Sequence, residues 1–86
     1  MAACDAADVE LAVAAARRAF NEGAWSRSSP EHRKEVMLRL ANLVRQNGEA
    51  LAVLESLDSG KTITDCLNEV AHEVPNFFQW YGELID

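Results

Sequence analysis

The stretch that most constrains this chain is Leu54-Glu55-Ser56-Leu57-Asp58-Ser59-Gly60-Lys61, where an apolar helical run meets a glycine and then a lysine. Ala50, Val53, Leu54 and Leu57 recur at helical spacing just before it. A glycine directly after such a run can adopt the left-handed conformation that closes a helix. A cation beside the closing turn favours the negative end of the helix dipole. A helix that must stop at Gly60 divides the chain into separate elements on either side. No alternating run of β-branched residues suggests a strand, so the expected fold is all-α, with four or five helices.

Upstream, the start and stop signals are local and strong. Asp5-Ala6-Ala7-Asp8 opens a first helix with a carboxylate at the cap and another three residues on, where unpaired N–H groups favour negative charge. Val9, Val13, Ala16 and Phe20 then predict one buried stripe, and Gly23 stops the run. Trp25 sits in a short connection and is expected to fold back on the core. In Ser29-Pro30-Glu31 the serine can cap, and the proline suits a first helical position because its missing N–H would be unpaired anyway. The second helix is expected from Pro30 to Gln46, with Val36, Met37, Leu40, Leu43 and Val44 as its apolar face. Glu31, Arg33, Lys34, Glu35, Arg39 and Arg45 read as its solvated face. Asn47 is expected to cap a third helix, from Glu49 to about Asp58, with Ala50, Val53, Leu54 and Leu57 as its core face.

Downstream, Thr62 or Thr64 can cap a fourth helix through Asp65, Cys66, Leu67 and Glu69. Pro75 either kinks that helix or occupies the first turn of a fifth, since an interior proline loses a backbone bond and clashes with the preceding turn. Phe77, Trp80, Tyr81 and Leu84 share one face near the chain's end, while Phe78 and Ile85 point elsewhere. That aromatic stripe is too large for one small helical domain to absorb and implies a missing partner surface.

Composition narrows the function classes. With 86 residues the core is small, because a chain of this size buries only about 60–65% of its unfolded surface. Fourteen acidic against eight scattered basic side chains give a net charge of −6, which opposes nucleic acid phosphates. Cys4 and Cys66 lack the spacing of a disulfide framework or zinc site and read as two reduced thiols in a cytoplasmic protein. No apolar run approaches the ~20 residues of a membrane span, and the first residues lack the basic and apolar regions of a signal peptide.

Reactive constellations are sparse. Ser59-Gly60-Lys61-Thr62 ends like a phosphate-binding loop, but that motif's earlier glycine would fall at Glu55, and a helix precedes it instead of a strand. His32 and His72 stand alone, and neither cysteine is flanked by a base, so no catalytic residue and no metal ligand is assigned. Glu69 and Glu73, four apart with His72 adjacent, put two carboxylates on one side of a helix. They either form a solvated acidic face, serve as catalytic groups or hold a cationic substrate.

Taken together, Ala12 to Phe20, Trp25-Ser26, Ser29-Pro30-Glu31-His32-Arg33, Leu38-Arg39-Leu40-Ala41-Asn42-Leu43, the Leu54–Lys61 turn, Trp80-Tyr81 and Ile85-Asp86 resemble the N-terminal part of the NAD(P)-dependent aldehyde dehydrogenase superfamily. The likeness runs from about Ala3 to Asp86 and is greatest to members acting on amino- or γ-glutamylamino-aldehydes. It implies that residues 1–86 are an N-terminal helical segment, incomplete at both ends, of the α/β cofactor-binding domain of a longer enzyme. The parent reaction would be thiolate attack on an aldehyde, hydride transfer to NAD or NADP, and hydrolysis to a carboxylic acid. In the family the nucleophile, base and cofactor contacts lie downstream, so the segment alone is expected to be inactive and to bind no cofactor. The resemblance further implies the rest of the chain and an aldehyde as partners, a homo-oligomer at full length, and Glu69 and Glu73 as candidates bordering the substrate entrance. The rival expectation is a free-standing acidic helical module that binds another protein through its aromatic face.

Overall fold

Five α-helices and one π-helical turn follow one another in the computed structural model, which describes residues 2–86. They are α1 (Ala6–Glu22), α2 (Pro30–Gln46), α3 (Gly48–Ser59), α4 (Ile63–Asn68), the π turn (Glu69–Glu73) and α5 (Val74–Glu83). The last three run on without a break, so the chain makes four helical rods, and there is no strand among the described residues.

The helix ends follow from local chemistry. Asp5 Oδ1 accepts from the N–H groups of Ala7 and Asp8 at 3.1 and 3.2 Å, and Asp8 Oδ2 accepts from Asp5 N–H at 3.0 Å. That reciprocal pair satisfies donors the first turn would leave open. Gly23 and Gly60 close α1 and α3 with φ of 83° and 78°, a conformation that costs other residues. Ser29 Oγ accepts from His32 N–H, with Pro30 in the first turn behind it. Thr62 caps α4. Asn47 departs from expectation: its side chain donates to the Leu43 carbonyl at 2.8 Å and ties off α2, leaving α3 without a side-chain cap. Pro75 falls in the first turn of α5. The turn before it is widened, with Val74 N–H donating to the Glu69 carbonyl five residues back, so the chain stays helical past a residue that breaks regular α-structure.

Small residues make the contacts between rods. α2 packs on α5, and α3 packs on α4 and the π turn. The buried positions are Ala41, Gly48, Ala52, Cys66, Pro75 and Gly82. A Cβ on Gly48 would lie 2.8 Å from Ala71 Cβ, and one on Gly82 would lie 2.9 Å from Met37 Cβ, so both glycines mark near-backbone approach. Polar ties reinforce the α2–α5 contact. Lys34 Nζ donates to Asp86 at 2.8 Å, and Arg45 Nη2 donates to Asn76 Oδ1 at 3.1 Å and Gln79 Oε1 at 2.6 Å.

Several packing expectations are overturned, and for one reason. The stripe of Val9, Val13, Ala16 and Phe20 is exposed, because no Cα of α1 comes within 8 Å of another helix. Trp25 is exposed as well and does not fold back on a core. On α2, Leu40 and Leu43 point outward, and the inward side runs through Met37, Leu38 and Ala41. On α3, Ala50, Val53, Leu54 and Leu57 all face solvent, Leu57 at 80% exposure, while Gly48 and Ala52 pack inside. Lys34 and Arg45, expected to be merely solvated, reach Asp86 beyond the end of α5 and Gln79 on it. The large apolar faces have nothing in this chain to meet. The aromatic stripe of α5 does lie as its spacing predicts, with Phe77, Trp80, Tyr81 and Leu84 exposed and Phe78 and Ile85 more covered.

Dimensions carry the same message. The molecule measures 40 × 37 × 16 Å with a radius of gyration of 16.0 Å, where a closed domain of this length has about 12 Å. Its accessible surface is 6572 Å², against about 5,000 Å² for a folded monomer of this mass.

Candidate functional site

The π turn brings charge and an irregular backbone next to the aromatic face of α5. Such turns are rare and recur at functional sites. It holds Glu69 at its start and Glu73 at its end, and the two side chains have different surroundings. Glu69 takes the ammonium of Lys61, whose Nζ lies 2.5 Å from each carboxylate oxygen. Lys61 arrives there because Gly60 reverses the chain, and the turn is pinned from within. Ser56 Oγ donates to the Lys61 carbonyl at 2.6 Å, and Lys61 N–H donates to Ser59 Oγ at 3.2 Å. The hydrogen bond to Glu69 holds the Lys61 ammonium above the ordinary lysine range.

Glu73 has no ion-pair or hydrogen-bond partner among the described residues. With Asn76, Phe77 and Trp80 it lines an open groove of about 500 Å³ whose walls are mostly apolar. Trp80 stands edge-on to Tyr81, ring centroids 5.0 Å apart at 83°. Asn76 Oδ1 accepts from Arg45 Nη2, which ties this stretch of α5 to α2.

Lys61 and Asn76 are missing from the sequence reading of this site. Lys61 and Glu69 are eight apart with a helix end between them, outside the three-and-four spacing that makes helical pairs legible. The neighbouring thiol is unsuited to nucleophilic chemistry: Cys66 is fully buried, and burial pushes its pKa up. His32 is exposed in the first turn of α2 and His72 is exposed on the π turn. No group of three or more metal-ligating side chains occurs among the described residues. No described helix is long and apolar enough to cross a membrane.

Uncovered apolar faces of this size mark surfaces that meet a partner, and sequence comparison gives the family. The chain belongs to the aldehyde dehydrogenase family, whose profile matches residues 1–86. It is 51% identical over all 86 residues to an aminoacetaldehyde dehydrogenase of Pseudomonas aeruginosa. Over 79 residues it is 43% identical to the NADP/NAD-dependent aldehyde dehydrogenase PuuC of Escherichia coli and 44% to a betaine aldehyde dehydrogenase of Bacillus subtilis, 92% of the chain in each case. It spans 17%, 16% and 16% of the lengths of these three relatives. No solved structure matches it.

Proposed function

We propose that these residues are the N-terminal helical segment of a longer, cytoplasmic, homo-oligomeric NAD(P)+-dependent aldehyde dehydrogenase, and that the whole protein oxidises an aminoaldehyde to the corresponding carboxylic acid. The observation that carries this reading is the 51% identity to an aminoacetaldehyde dehydrogenase across the full 86 residues. The exposed faces of α1, α3 and α5 support it, since about 1,500 Å² of surplus surface is what a segment lying against a larger body leaves bare.

Within that reading, the segment supplies scaffold and one wall of the substrate entrance, with Glu69 and Glu73 at its rim. A positively charged aldehyde is drawn to such a rim by charge pairing in a partly dry channel. A nicotinamide cofactor would supply the hydride acceptor for such an oxidation. The turn at Gly60 and Lys61 does not fit it: Gly60 closes a helix through its bond to the Ser56 carbonyl, and the adjacent Lys61 is occupied by Glu69. The nucleophile and base are therefore assigned to the remainder of the enzyme.

The experiment is to express the complete reading frame and, separately, the 86-residue chain, and to follow cofactor reduction with aminoaldehydes and NAD+ or NADP+. The complete protein should reduce cofactor and release acid, and the short chain should do neither. A reading frame that ends at Asp86 with no dehydrogenase activity would overturn the proposal in favour of a protein-binding module using the Phe77, Trp80, Tyr81 and Leu84 face.

A further inference from the structure

α4, the π turn and α5 form one continuous rod with buried residues toward both ends. Cys66 is the buried residue of α4, which packs on α3, and Pro75 and Gly82 are the buried residues of α5, which packs on α2. α2 and α3 touch each other and both touch the π turn, so the rod has to bury neighbouring sides along its length. An α-helix turns about 100° per residue. Counted as an unbroken α-helix from Cys66, Pro75 and Gly82 would point about 180° and 160° away from it. Phe77, Trp80, Tyr81 and Leu84 would all lie within about 60° of it. The structure has the reverse: Pro75 and Gly82 are buried, and the four large side chains are exposed. The π turn makes the difference. Its bond from Val74 N–H to the Glu69 carbonyl encloses one residue more than an α-helical bond does. Counted with one residue fewer, Pro75 and Gly82 lie about 80° and 60° from Cys66, and the four large side chains fall on the other flank.

We infer that the π turn stores one residue that the packing of the rod does not use, that His72 occupies the surplus position, and that α4 and α5 meet their neighbours as the two ends of an α-helix one residue shorter. Ala71 packs on Gly48, whereas His72 beside it is exposed. Gly82 fixes the register tightly: a Cβ there would lie 2.9 Å from Met37 Cβ, so the ring of Tyr81 has no room in its place. Pro75 supplies a competing cause for the widened turn, since its ring clashes with an α-helical carbonyl four residues back. The two causes part company when the proline is replaced. If packing sets the register, the turn is a place where the rod gains or loses a residue while the sides facing α2 and α3 stay put. This holds whatever reaction the whole protein performs.

The test is a disulfide across the α2–α5 contact of the complete protein. Met37→Cys with Gly82→Cys brings two Cβ atoms close to the roughly 3.5–4.5 Å that a disulfide spans. Met37→Cys with Tyr81→Cys reports an α5 turned by one residue. Oxidation and peptide mapping should join positions 37 and 82 and leave 37 and 81 unjoined. Removing His72 together with Pro75→Ala should keep the bond between 37 and 82, because the shortened rod has the register its packing already uses. Removing Gln79, inside regular α5, should abolish it by turning Gly82 about 100° away from Met37. Pro75→Ala alone should keep the bond, because the contacts with α2 and α3 hold the turn open. The same result from both deletions would overturn the inference, and so would a bond that is lost or moves to position 81 in Pro75→Ala. A His72 deletion that unfolds the rod counts against it as well, since the bond is then lost as in the Gln79 deletion.

Discussion

Gly48→Ala tests whether backbone proximity is what joins α3 to the π turn. Gly48 is buried at the first position of α3, and an added Cβ would lie 2.8 Å from Ala71 Cβ and 2.9 Å from Ala71 Cα. Carbon atoms in good contact are about 3.5–4.0 Å apart, so the two segments must separate by close to an ångström. Neither obstacle is a rotatable side-chain tip, since one is backbone and the other is fixed to it. Overpacking of this kind costs about 1–3 kcal/mol. Replacing glycine in a helix interior returns up to about 1 kcal/mol, and less at a first position where the chain is only half committed. The net is a loss of about 1–2 kcal/mol. Hydrogen exchange of the complete enzyme reads this locally: peptides covering α3 and the π turn should exchange about 5- to 30-fold faster, while those from α1 stay as they were. Gly60→Ala makes a useful contrast, because nothing lies within 4 Å and only the φ of 78° is strained. Unchanged or slower exchange in Gly48→Ala would refute the close-packing argument.

Three other outcomes follow from the same structure. In the folded chain at neutral pH, a thiol reagent should modify exposed Cys4 and spare Cys66 until denaturant is added, because Cys66 is buried and its thiol is pushed up by desolvation. The hydrogen bond from Lys34 holds the Asp86 carboxyl below its ordinary 3.8, so this tie is intact above that value and is lost as pH falls through the lower folded one; an NMR titration should show the depressed midpoint, and Lys34→Met should return it toward 3.8. Leu57→Lys should leave helix content and solubility of the isolated chain intact or improved, yet lower the melting temperature of the complete enzyme. The side chain is 80% exposed here, and burying a leucine is worth about 1.5–3 kcal/mol.

Helix ends were legible in the sequence because the groups that set them are neighbours in the chain. Asp5 with Asp8, Ser29 with Pro30, and the glycines at 23 and 60 all act within one turn. Facing was legible on α5 but not on α1 or α3. Periodicity marks a large apolar stripe on α3 at Val53, Leu54 and Leu57, and it is natural to turn that stripe inward. The contacts within this chain instead use the small side, Gly48 and Ala52, because small residues let rods approach closely. Which stripe is covered depends on surfaces that periodicity does not encode. The π turn was likewise hidden: Pro75 announces a disturbance, but whether it appears as a kink, a break or a widened turn is settled by the packing of Ala71 on Gly48 and of α5 on α2. The acids at 69 and 73 were visible as a pair, and the lysine that pairs with Glu69 was not.

The central claim is that the 86-residue chain lacks the surface its apolar faces are built to meet. Heating the purified chain while following far-UV ellipticity and the fluorescence of a dye that binds exposed apolar surface tests this directly. A broad, non-cooperative melt with strong dye binding from the lowest temperature is expected. A sharp two-state transition in a dye-dark monomer, with a radius of gyration near the ~12 Å of a closed domain, would contradict it.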